Sequence, residues 1–256
     1  MVSKAVEVKK STSQKAGNTT QILGVGLNGT ELAEVLRQIE IRLERGEKSL
    51  VVTPNPEFLV YAQSQPWFKK ALNTATFAIP DGIGLIWASW FLKSKPRLKQ
   101  RVAGADLAAR LLKLANTGHW QVGVVGARRG DKQERRQLIK KLQQRYPGIT
   151  VVNLEDTPGW QKSPPAGGWQ VIFACQGMGE QEKWLLKHFA KTEASVFVGA
   201  GGALDFLTGF AKRAPKCIRR LGFEWLYRLL IQPWRWRRQL ALVKFVWLVL
   251  KERFST

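Results

Sequence analysis

Short apolar runs alternate with amphipathic segments through the middle of the chain. The strand-like runs are residues 22–27, 50–53, 76–80, 121–126, 149–154, 170–175 and 195–199. Between them, apolar residues recur at helical spacing, and Leu32, Leu36, Ile39 and Leu43 lie on one face of a predicted helix. This repeated order of strand and helix predicts an α/β fold, with a mostly parallel sheet covered by helices on both faces.

The same pattern divides the chain into three parts. Residues 1–20 are polar and basic and are predicted to form a disordered tail, residues 21–212 an α/β core, and residues 213–256 a helical appendage. No run reaches the roughly 18 apolar residues that a membrane-spanning helix needs, and the polar start contains no secretory signal. We therefore expect a cytoplasmic protein.

The composition adds a large excess of positive charge. Lysine and arginine number 41 against 19 acidic residues, which gives a net charge of +22. Such a chain is attracted to nucleic acid, to anionic membrane surfaces and to phosphorylated ligands. The charge is dense near the C terminus, where residues 216–256 contain ten basic and two acidic residues and four of the eleven tryptophans.

If the C-terminal segment is helical, its apolar residues fall on one stripe. The stripe consists of Leu221, Trp225, Leu229, Trp236, Leu240, Val243, Trp247 and Leu250. Arg228, Arg235 and Arg238 flank it, and Pro233 is expected to kink or split the helix. A basic helix with a tryptophan-rich stripe is typical of helices that lie on an anionic membrane surface. The alternative is a helix that packs this stripe against the core and leaves its arginines in solvent.

Ligands of parallel α/β sheets bind at the carboxyl ends of strands, and three predicted strands end in unusual residues. The first ends in Thr53 and is followed by Asn55, and the second is followed by Asp81. The third ends in Gly199 and is followed by Gly201, Gly202 and Asp205. The glycine-rich turn can bring backbone N–H groups close to a phosphate, but a turn of this kind can also be purely structural. Asn55 can likewise be an ordinary turn residue.

Asp81 is the strongest candidate for a reacting group. It is one of five aspartates, and it stands between an apolar strand and a glycine-containing turn. A carboxylate that is partly removed from water in such a place can act as a general base. The alternative is that Asp81 caps the helix that follows it.

Two other functions are kept as alternatives. Residues 24–29 match the G-x-G-x-x-G pattern of an NAD-dependent oxidoreductase, but the next predicted strand ends in Thr53 where such sites have an acidic residue. The high charge suggests a non-enzymatic nucleic-acid-binding protein, but no recognition motif accompanies it. The chain has no Walker A motif, DxD pair or Cys/His metal spacing, so no metal site is predicted.

Six segments, taken together and in this order, resemble the WecG/TagA/CpsF family of glycosyltransferases (glycosyltransferase family 26). They are TPNPEFLVYAQSQP (53–66), PDGIGLIWAS (80–89), RVAGADL (101–107), GMGEQEKWL (177–185), VGAGGALDFLTG (198–209) and RAPKCIRRLGFEWLYRLLIQPWRWRR (213–238). The resemblance covers about residues 22–240. The chain departs from the family pattern in two places, because the loop before Gln181 lacks a frequent proline and Leu204 replaces a common phenylalanine.

The resemblance implies a Rossmann-like core and an inverting, metal-independent enzyme. It would move a sugar of N-acetylmannosamine or glucose type from a UDP-sugar to a polyprenyl-diphosphate-linked sugar, in the assembly of cell-surface polysaccharide or teichoic acid. The UDP-sugar is a substrate, and no cofactor is implied. The enzyme would be peripheral on the inner face of the cell membrane, with an anionic membrane surface as a partner and no nucleic acid. Association into a homo-oligomer is left open.

The resemblance also implies roles for particular residues. Asp81 would be the catalytic base, Thr53 and Asn55 would lie beside the transferred sugar, and Arg101 would lie near the diphosphate or the donor sugar. Gln181 would contact substrate, and Gly199, Gly201, Gly202 and Asp205 would contact the nucleotide. Arg228, Arg235 and Arg238 would reach the diphosphates from the membrane side.

Overall fold

The computed structural model describes residues 19–128, 131–220, 222–233 and 236–255. The strands in these residues are β1 (Thr19–Ile22), β2 (Val25–Asn28), β3 (Ser49–Val52), β4 (Phe77–Ala78), β5 (Gln121–Val125), β6 (Thr150–Asn153), β7 (Trp169–Ala174) and β8 (Ala194–Gly199). Strands β3 to β8 form one sheet in the order β4-β3-β8-β7-β5-β6, and all its described pairs are parallel. The predicted parallel α/β class is confirmed.

Helices cover both faces of this sheet. They are α1 (Leu32–Glu44), α2 (Pro56–Ser64), α3 (Pro66–Thr74), α4 (Ile83–Phe91), α5 (Gly104–Thr117), α6 (Lys132–Arg145), α7 (Glu180–Phe189), α8 (Ala203–Leu207), α9 (Lys216–Arg220), α10 (Glu224–Ile231) and α11 (Trp236–Phe254). Buried side chains of α2, α3, α4, α7 and α11 belong to one core layer, and those of α1, α5, α6 and α8 belong to the other.

The strands read as continuous apolar runs because both of their faces are buried. In β3, Leu50 and Val52 point into the layer of α2 and α11, whereas Val51 points into the layer of α1 and α5. Alternating side chains of one strand therefore pack into two core layers. Because helices cover both faces of the sheet, the ends of the strands are where a ligand can reach it.

The predicted strand at residues 22–27 is wrong. The chain reverses there, so that β1 and β2 form an antiparallel hairpin separate from the main sheet. Leu23 and Gly24 occupy the turn with φ values of 52° and 72°, as a two-residue type I′ turn requires, and Gly24 adopts this conformation at little cost. The G-x-G-x-x-G pattern therefore lies on a hairpin and lacks the strand–helix turn that holds a dinucleotide.

The C-terminal segment is helical, as predicted, and it is interrupted at Pro233. Helix α10 ends at Ile231 and α11 begins at Trp236. Helix α11 packs against α2 through Phe245 and Val249, which are fully buried. None of the helices in the described ranges is long and apolar enough to cross a bilayer.

The apolar stripe predicted for this segment faces away from the core. Trp225, Trp236, Leu240, Val243, Trp247 and Leu250 are exposed and Leu229 is half-buried, while Leu221 lies outside the described residues. The alternative in which the stripe packs on the core is wrong, because α11 uses a different face for that contact. One face of α11 therefore packs on the core, and another is exposed.

Candidate functional site

The predicted strand-end residues lie at the carboxyl ends of β3, β4 and β8. We call the switch point between β3 and β8 at this edge the strand-end crevice. These strands are adjacent, but α2 follows β3 on one face of the sheet and α8 follows β8 on the other. A crevice at such a switch point is the usual ligand site of an open α/β sheet. The hydroxyl of Thr53 donates to the carbonyl of Gly199 at 3.5 Å across this crevice.

Asp81 lies at the same edge, directly after β4. Its carboxylate does not cap α4, whose N-cap is Gly82. Instead, Oδ2 accepts a hydrogen bond from the backbone N–H of Gly104 at 3.1 Å, at the start of the 14-residue helix α5. The positive end of the α5 dipole therefore faces Asp81. The capping alternative applies to a different helix from the one that the sequence suggested.

Gly104 is needed for this approach. A Cβ atom at that position would stand 3.1 Å from Thr53 Oγ1 and 3.5 Å from Asp81 Oδ2. The hydroxyl of Thr53, the carboxylate of Asp81 and the N terminus of α5 thus converge on one small volume, where a larger residue would force them apart.

The electrostatic surroundings of Asp81 are mixed. Burial raises the pKa of this carboxyl above its usual value, and this is the largest effect. The N–H of Gly104 and the guanidinium groups of Arg228 and Arg101 lower the pKa, while the carboxylate of Glu224 raises it. The balance leaves an aspartate that binds protons more readily than one in water.

Gln181 lies beneath the glycine-rich turn and is almost fully buried. Its Oε1 accepts from the N–H of Gly201 at 2.9 Å, and its Nε2 donates to Glu182 Oε1 at 2.7 Å. A Cβ atom at Gly199 would stand 3.1 Å from this Nε2. The amide of Gln181 therefore supports the turn in this structure, and both of its ends are already hydrogen-bonded.

Glu182 completes this support. It is 1% exposed, and its Oε2 accepts from the N–H of Gly179 at 2.7 Å at the start of α7. Burial raises its pKa to about 7, against the hydrogen bonds from Gln181 and Gly179, which lower it. Its position three residues after Gly179 is that of a capping-box glutamate, so the local sequence contained a signal for it.

Two other predicted residues flank the crevice. Asn55 is the N-cap of α2, and its side chain accepts from the N–H of Phe58 at 3.1 Å. Asp205 is half-buried in the first turn of α8, and burial raises its pKa while Arg128 opposes that shift. Asp205 Oδ2 lies 3.8 Å from where a Cβ atom at Gly202 would stand.

Two of the predicted arginines, Arg101 and Arg228, contact the same acidic residue, Glu224, which the sequence analysis did not identify. Arg228 Nη2 donates to Glu224 Oε1 at 2.9 Å, and Arg101 Nη1 lies 4.0 Å from Glu224 Oε2. Arg101 also donates to the backbone carbonyl of Arg219. Arg235 and the side chain of Arg238 lie outside the described residues. Glu224 is one of only two acids among residues 216–256, and that rarity was the available signal.

In the described part of the chain, no three His, Cys, Asp or Glu side chains form a group that could hold a metal ion. The positive groups closest to the acids of this site are arginines. Arg213, for example, makes a two-pronged contact with Asp106 on α5 and lies 3.7 Å from Glu224.

Fold and site together define an α/β protein with a desolvated carboxylate at the carboxyl ends of its parallel strands, under the influence of nearby arginines. The model of the glycosyl transferase WecG/TagA/CpsF family matches residues 20–256, and the chain belongs to this family. The resemblance carried by the six segments is confirmed, and the protein is a glycosyltransferase.

Three relatives share one name, N-acetylglucosaminyldiphosphoundecaprenol N-acetyl-beta-D-mannosaminyltransferase. The chain is 34% identical to the protein from Bacillus spizizenii over 235 residues, which cover 88% of this chain and 89% of the relative. It is 31% identical to the Bacillus subtilis protein, over 80% of each chain. It is 32% identical to the Staphylococcus aureus protein, over 89% of this chain and 90% of the relative.

Proposed function

We propose that the protein is an inverting, metal-independent enzyme that moves a sugar from a UDP-sugar to a sugar carried by a polyprenyl diphosphate. The observation that carries this proposal is the carboxylate of Asp81, which lies at the strand-end crevice and is hydrogen-bonded to the N terminus of α5. Burial raises its pKa, and a carboxylate with a raised pKa is a stronger base than one in water.

In the proposed reaction, Asp81 takes the proton from a hydroxyl group of the acceptor sugar. The acceptor oxygen attacks the anomeric carbon of the donor from the face opposite to UDP. The bond between that carbon and the β-phosphate oxygen breaks, and UDP leaves with the electron pair. Because attack and departure occur on opposite faces, the configuration of the anomeric carbon is inverted.

The leaving diphosphate gains negative charge, and the proposal assigns its neutralisation to arginine. The charges of Arg101 and Arg228 lower the pKa of Asp81, which supports this assignment. A guanidinium group can offer two parallel N–H donors to a phosphate. The proposal extends this cluster with Arg235 and Arg238, toward the diphosphate of the lipid-linked acceptor.

The names of the relatives favour one pair of substrates. Those proteins are named for transfer of N-acetylmannosamine to undecaprenyl-diphosphate-linked N-acetylglucosamine. We therefore propose UDP-N-acetylmannosamine or a closely related UDP-sugar as the donor, and a polyprenyl-diphosphate-linked N-acetylglucosamine as the acceptor. The product would then enter the assembly of a cell-wall polymer.

A lipid-linked acceptor requires contact with a membrane surface, and three neighbouring helices offer one. Their exposed apolar side chains form what we call the apolar face. It consists of Ile83, Trp87 and Trp90 on α4, Leu226, Leu230 and Ile231 on α10 with Phe223 beside them, and Trp236, Leu240, Val243, Trp247, Leu250 and Phe254 on α11. On α4 and α11 these residues recur at three- and four-residue spacing, so each of these two helices turns one side outward.

Contacts connect α4 to α11 and to the start of α10. The ring of Phe91 on α4 stacks on Trp87 and meets the edge of Phe254 on α11 at a centroid distance of 6.5 Å. Near the start of α10, a Cβ atom at Gly222 would stand 3.2 Å from Ile83. Ile83 follows Asp81 by two residues, so the apolar face begins beside the proposed base.

Basic groups border the tryptophans of the apolar face. Arg97 lies 4.5 Å from the ring centroid of Trp90, and Lys251 lies 5.5 Å from that of Trp247. Tryptophan and basic residues together are typical of protein surfaces that insert into the headgroup region of an anionic bilayer. The proposal therefore places the protein on the inner face of the cell membrane, with its crevice opening toward the lipid-linked acceptor.

The test is transfer between defined substrates. The full chain is incubated with UDP-N-acetylmannosamine, UDP-N-acetylglucosamine or UDP-glucose and a short-chain polyprenyl diphosphate carrying N-acetylglucosamine, with and without a chelator. We expect a disaccharide product by mass, inverted at the anomeric carbon by NMR, in amounts that the chelator does not change. Absence of product with every donor would contradict the proposed function, and loss of product with the chelator would contradict metal independence.

The two alternatives are tested in the same preparation. A rise in melting temperature with NAD but not with UDP would favour an oxidoreductase, and binding to DNA or RNA that survives a salt series would favour a nucleic-acid-binding protein. The proposal expects stabilisation by UDP alone, and nucleic-acid binding that is lost at moderate salt.

A further inference from the structure

A single buried carboxylate stands at the centre of the arginines in this site. Glu224, the first residue of α10, is 7% exposed. Its Oε1 accepts from Arg228 at 2.9 Å and lies 3.7 Å from Arg213 Nε, and its Oε2 lies 4.0 Å from Arg101 Nη1. Three guanidinium groups from three separate parts of the chain therefore face one acid.

Each of these arginines has a second contact that fixes its direction. Arg101 donates to the carbonyl of Arg219, and Arg213 makes its two-pronged contact with Asp106. The guanidinium of Arg228 lies 4.6 Å from the ring centroid of Phe206, which neighbours Asp205 in α8. Glu224 is the group they share, so it couples α10 to the loop before α5 and to the segment before α9.

The same groups face Asp81. The N–H of Gly104 on α5 is hydrogen-bonded to Asp81 at 3.1 Å. Arg228 and Glu224 of α10, Arg101 of the loop before α5 and Arg213 of the segment before α9 interact with it through their charges. Asp81 and Glu224 are thus two carboxylates that compete for one set of arginines. In the structure, the described ion pairs of Arg101, Arg213 and Arg228 are made with Glu224 and Asp106.

We propose that Glu224 is a positioning residue that holds Arg101 and Arg228 in a preformed cluster and keeps them from forming ion pairs with Asp81. This inference rests on the proposed function, in which Asp81 is the base. Without the Glu224 carboxylate, the arginines retain their charge, and Asp81 is a carboxylate on which Arg101 and Arg228 already act. A base held in an ion pair accepts a proton less readily, because the pairing stabilises its charged form.

The inference predicts a shift of the pH profile in addition to a loss of rate. In Glu224→Gln, the raising effect of Glu224 on the pKa of Asp81 is lost and the lowering effect of the arginines increases. We expect the acid limb of the profile of kcat against pH to move down by about one pH unit, because an opposite charge at close range lowers a carboxyl pKa by roughly 1–3 units. At neutral pH, kcat should fall by on the order of tenfold, because a weaker base is a weaker catalyst.

The experiment compares four proteins: the wild type, Glu224→Gln, Glu224→Asp and Glu44→Gln. The last variant makes the same change at an exposed residue at the end of α1, away from the crevice, and should match the wild type. Glu224→Asp keeps the charge but draws it away from Arg101, so its acid limb and kcat should lie between those of the wild type and Glu224→Gln.

A merely structural role for Glu224 would lower kcat and the melting temperature but leave the acid limb where the wild type has it, and that result would overturn the inference. If Glu224→Gln does not fold, the acid limb of Glu224→Asp tests the inference instead. An acid limb at the wild-type pH in that variant would also overturn the inference. If the wild type transfers no sugar from any UDP-sugar, the proposed function itself fails. If the wild type is active and the limbs coincide, only the role of Glu224 fails.

Discussion

The α/β core and the C-terminal helices of this protein treat apolar side chains in opposite ways. Around the sheet, leucine, valine and phenylalanine are packed into two layers with almost no exposed surface. Of the sixteen large apolar side chains that are exposed in the described residues, twelve lie in residues 222–255. Apolar surface gathered in this way marks a binding surface, since soluble monomers rarely expose large contiguous patches.

The two regions also differ in how their charged residues are arranged. At the strand ends of the core, charged groups of both signs act on Asp81, and two of them, Arg228 and Glu224, come from the C-terminal segment. The C-terminal segment has ten basic and two acidic residues, and one of the two acids is the buried Glu224. Under the proposed function, the core binds a small ligand at its strand ends and the C-terminal segment meets an extended anionic surface. The two meet at Glu224 and Ile83.

The largest expected effect is that of a substitution in the core, at Asp81. Replacing Asp81 with asparagine should lower kcat by about 10²- to 10⁴-fold, the usual contribution of a general base. Binding of UDP should persist, because the arginines and the glycine-rich turn remain, and the fold should be no less stable, because burial already disfavours the charged form. Turnover and calorimetric UDP titration measure the two effects. Near-normal turnover of Asp81→Asn would remove Asp81 from this role.

The next prediction separates the two faces of α11. Phe245→Ala should destabilise the protein by about 3–5 kcal/mol, because it leaves a cavity against α2. Trp247→Ser should leave the free energy of unfolding nearly unchanged, because Trp247 is 58% exposed. Its effect should be a fall of about tenfold or more in binding to anionic vesicles, as expected for losing one large apolar side chain from an interface. Denaturant unfolding and vesicle sedimentation measure these quantities.

A matched control for Trp247→Ser is Leu186→Ser on α7, where an exposed apolar residue lies outside the apolar face. It should not change vesicle binding. Trp87→Ser extends the test to α4. A loss of binding similar to that of Trp247→Ser is expected if core and appendage meet the membrane together, and unchanged binding would restrict the contact to the C-terminal helices.

A smaller effect concerns the support of the glycine-rich turn. The pKa of Glu182 is about 7 in the folded protein, against 4.5 as its ordinary value, so between these pH values the folded state binds more protons than the unfolded state. The stability that this group contributes is therefore present at low pH and is lost as pH rises through 7, by up to about 3 kcal/mol. Denaturant unfolding at a series of pH values should show this fall in the wild type and a flatter dependence in Glu182→Gln. An equal slope in the two proteins would contradict the assignment.

The smallest change is one methyl group. Gly104→Ala places a Cβ atom 3.1 Å from Thr53 Oγ1, so the hydroxyl must move by a few tenths of an ångström. We expect kcat to fall by roughly tenfold, since small misplacements of reacting groups are costly, while the melting temperature changes little. Gly29→Ala is the control, because its nearest neighbour would be an ordinary contact at 3.6 Å. Unchanged kcat in Gly104→Ala would show that this close approach is not needed.

The sequence predicted the class of the fold and most of its elements, because continuous apolar runs and helical spacing are local signals. It failed at residues 22–27, where the apolar run continues through a two-residue turn and only the backbone at Leu23 and Gly24 reveals the reversal. It placed Asp81 at a strand end correctly. It did not reveal that the partner of Asp81 is Gly104, 23 positions later, because that contact depends on where α5 packs.

What the sequence determined by itself was an α/β core followed by a basic, tryptophan-rich helical segment, together with membership of a glycosyltransferase family. Periodicity, composition and the order of motifs are properties of the sequence, and they can be recognised without the structure. The tertiary structure alone decided which face of α11 packs on the core and which helix contacts Asp81. It also decided that Arg101, Arg213 and Arg228 gather around Glu224. These contacts join residues that are distant in the chain. They form on folding because a buried charge is costly unless it is paired or hydrogen-bonded, and the chain sequence does not specify which distant group becomes its partner.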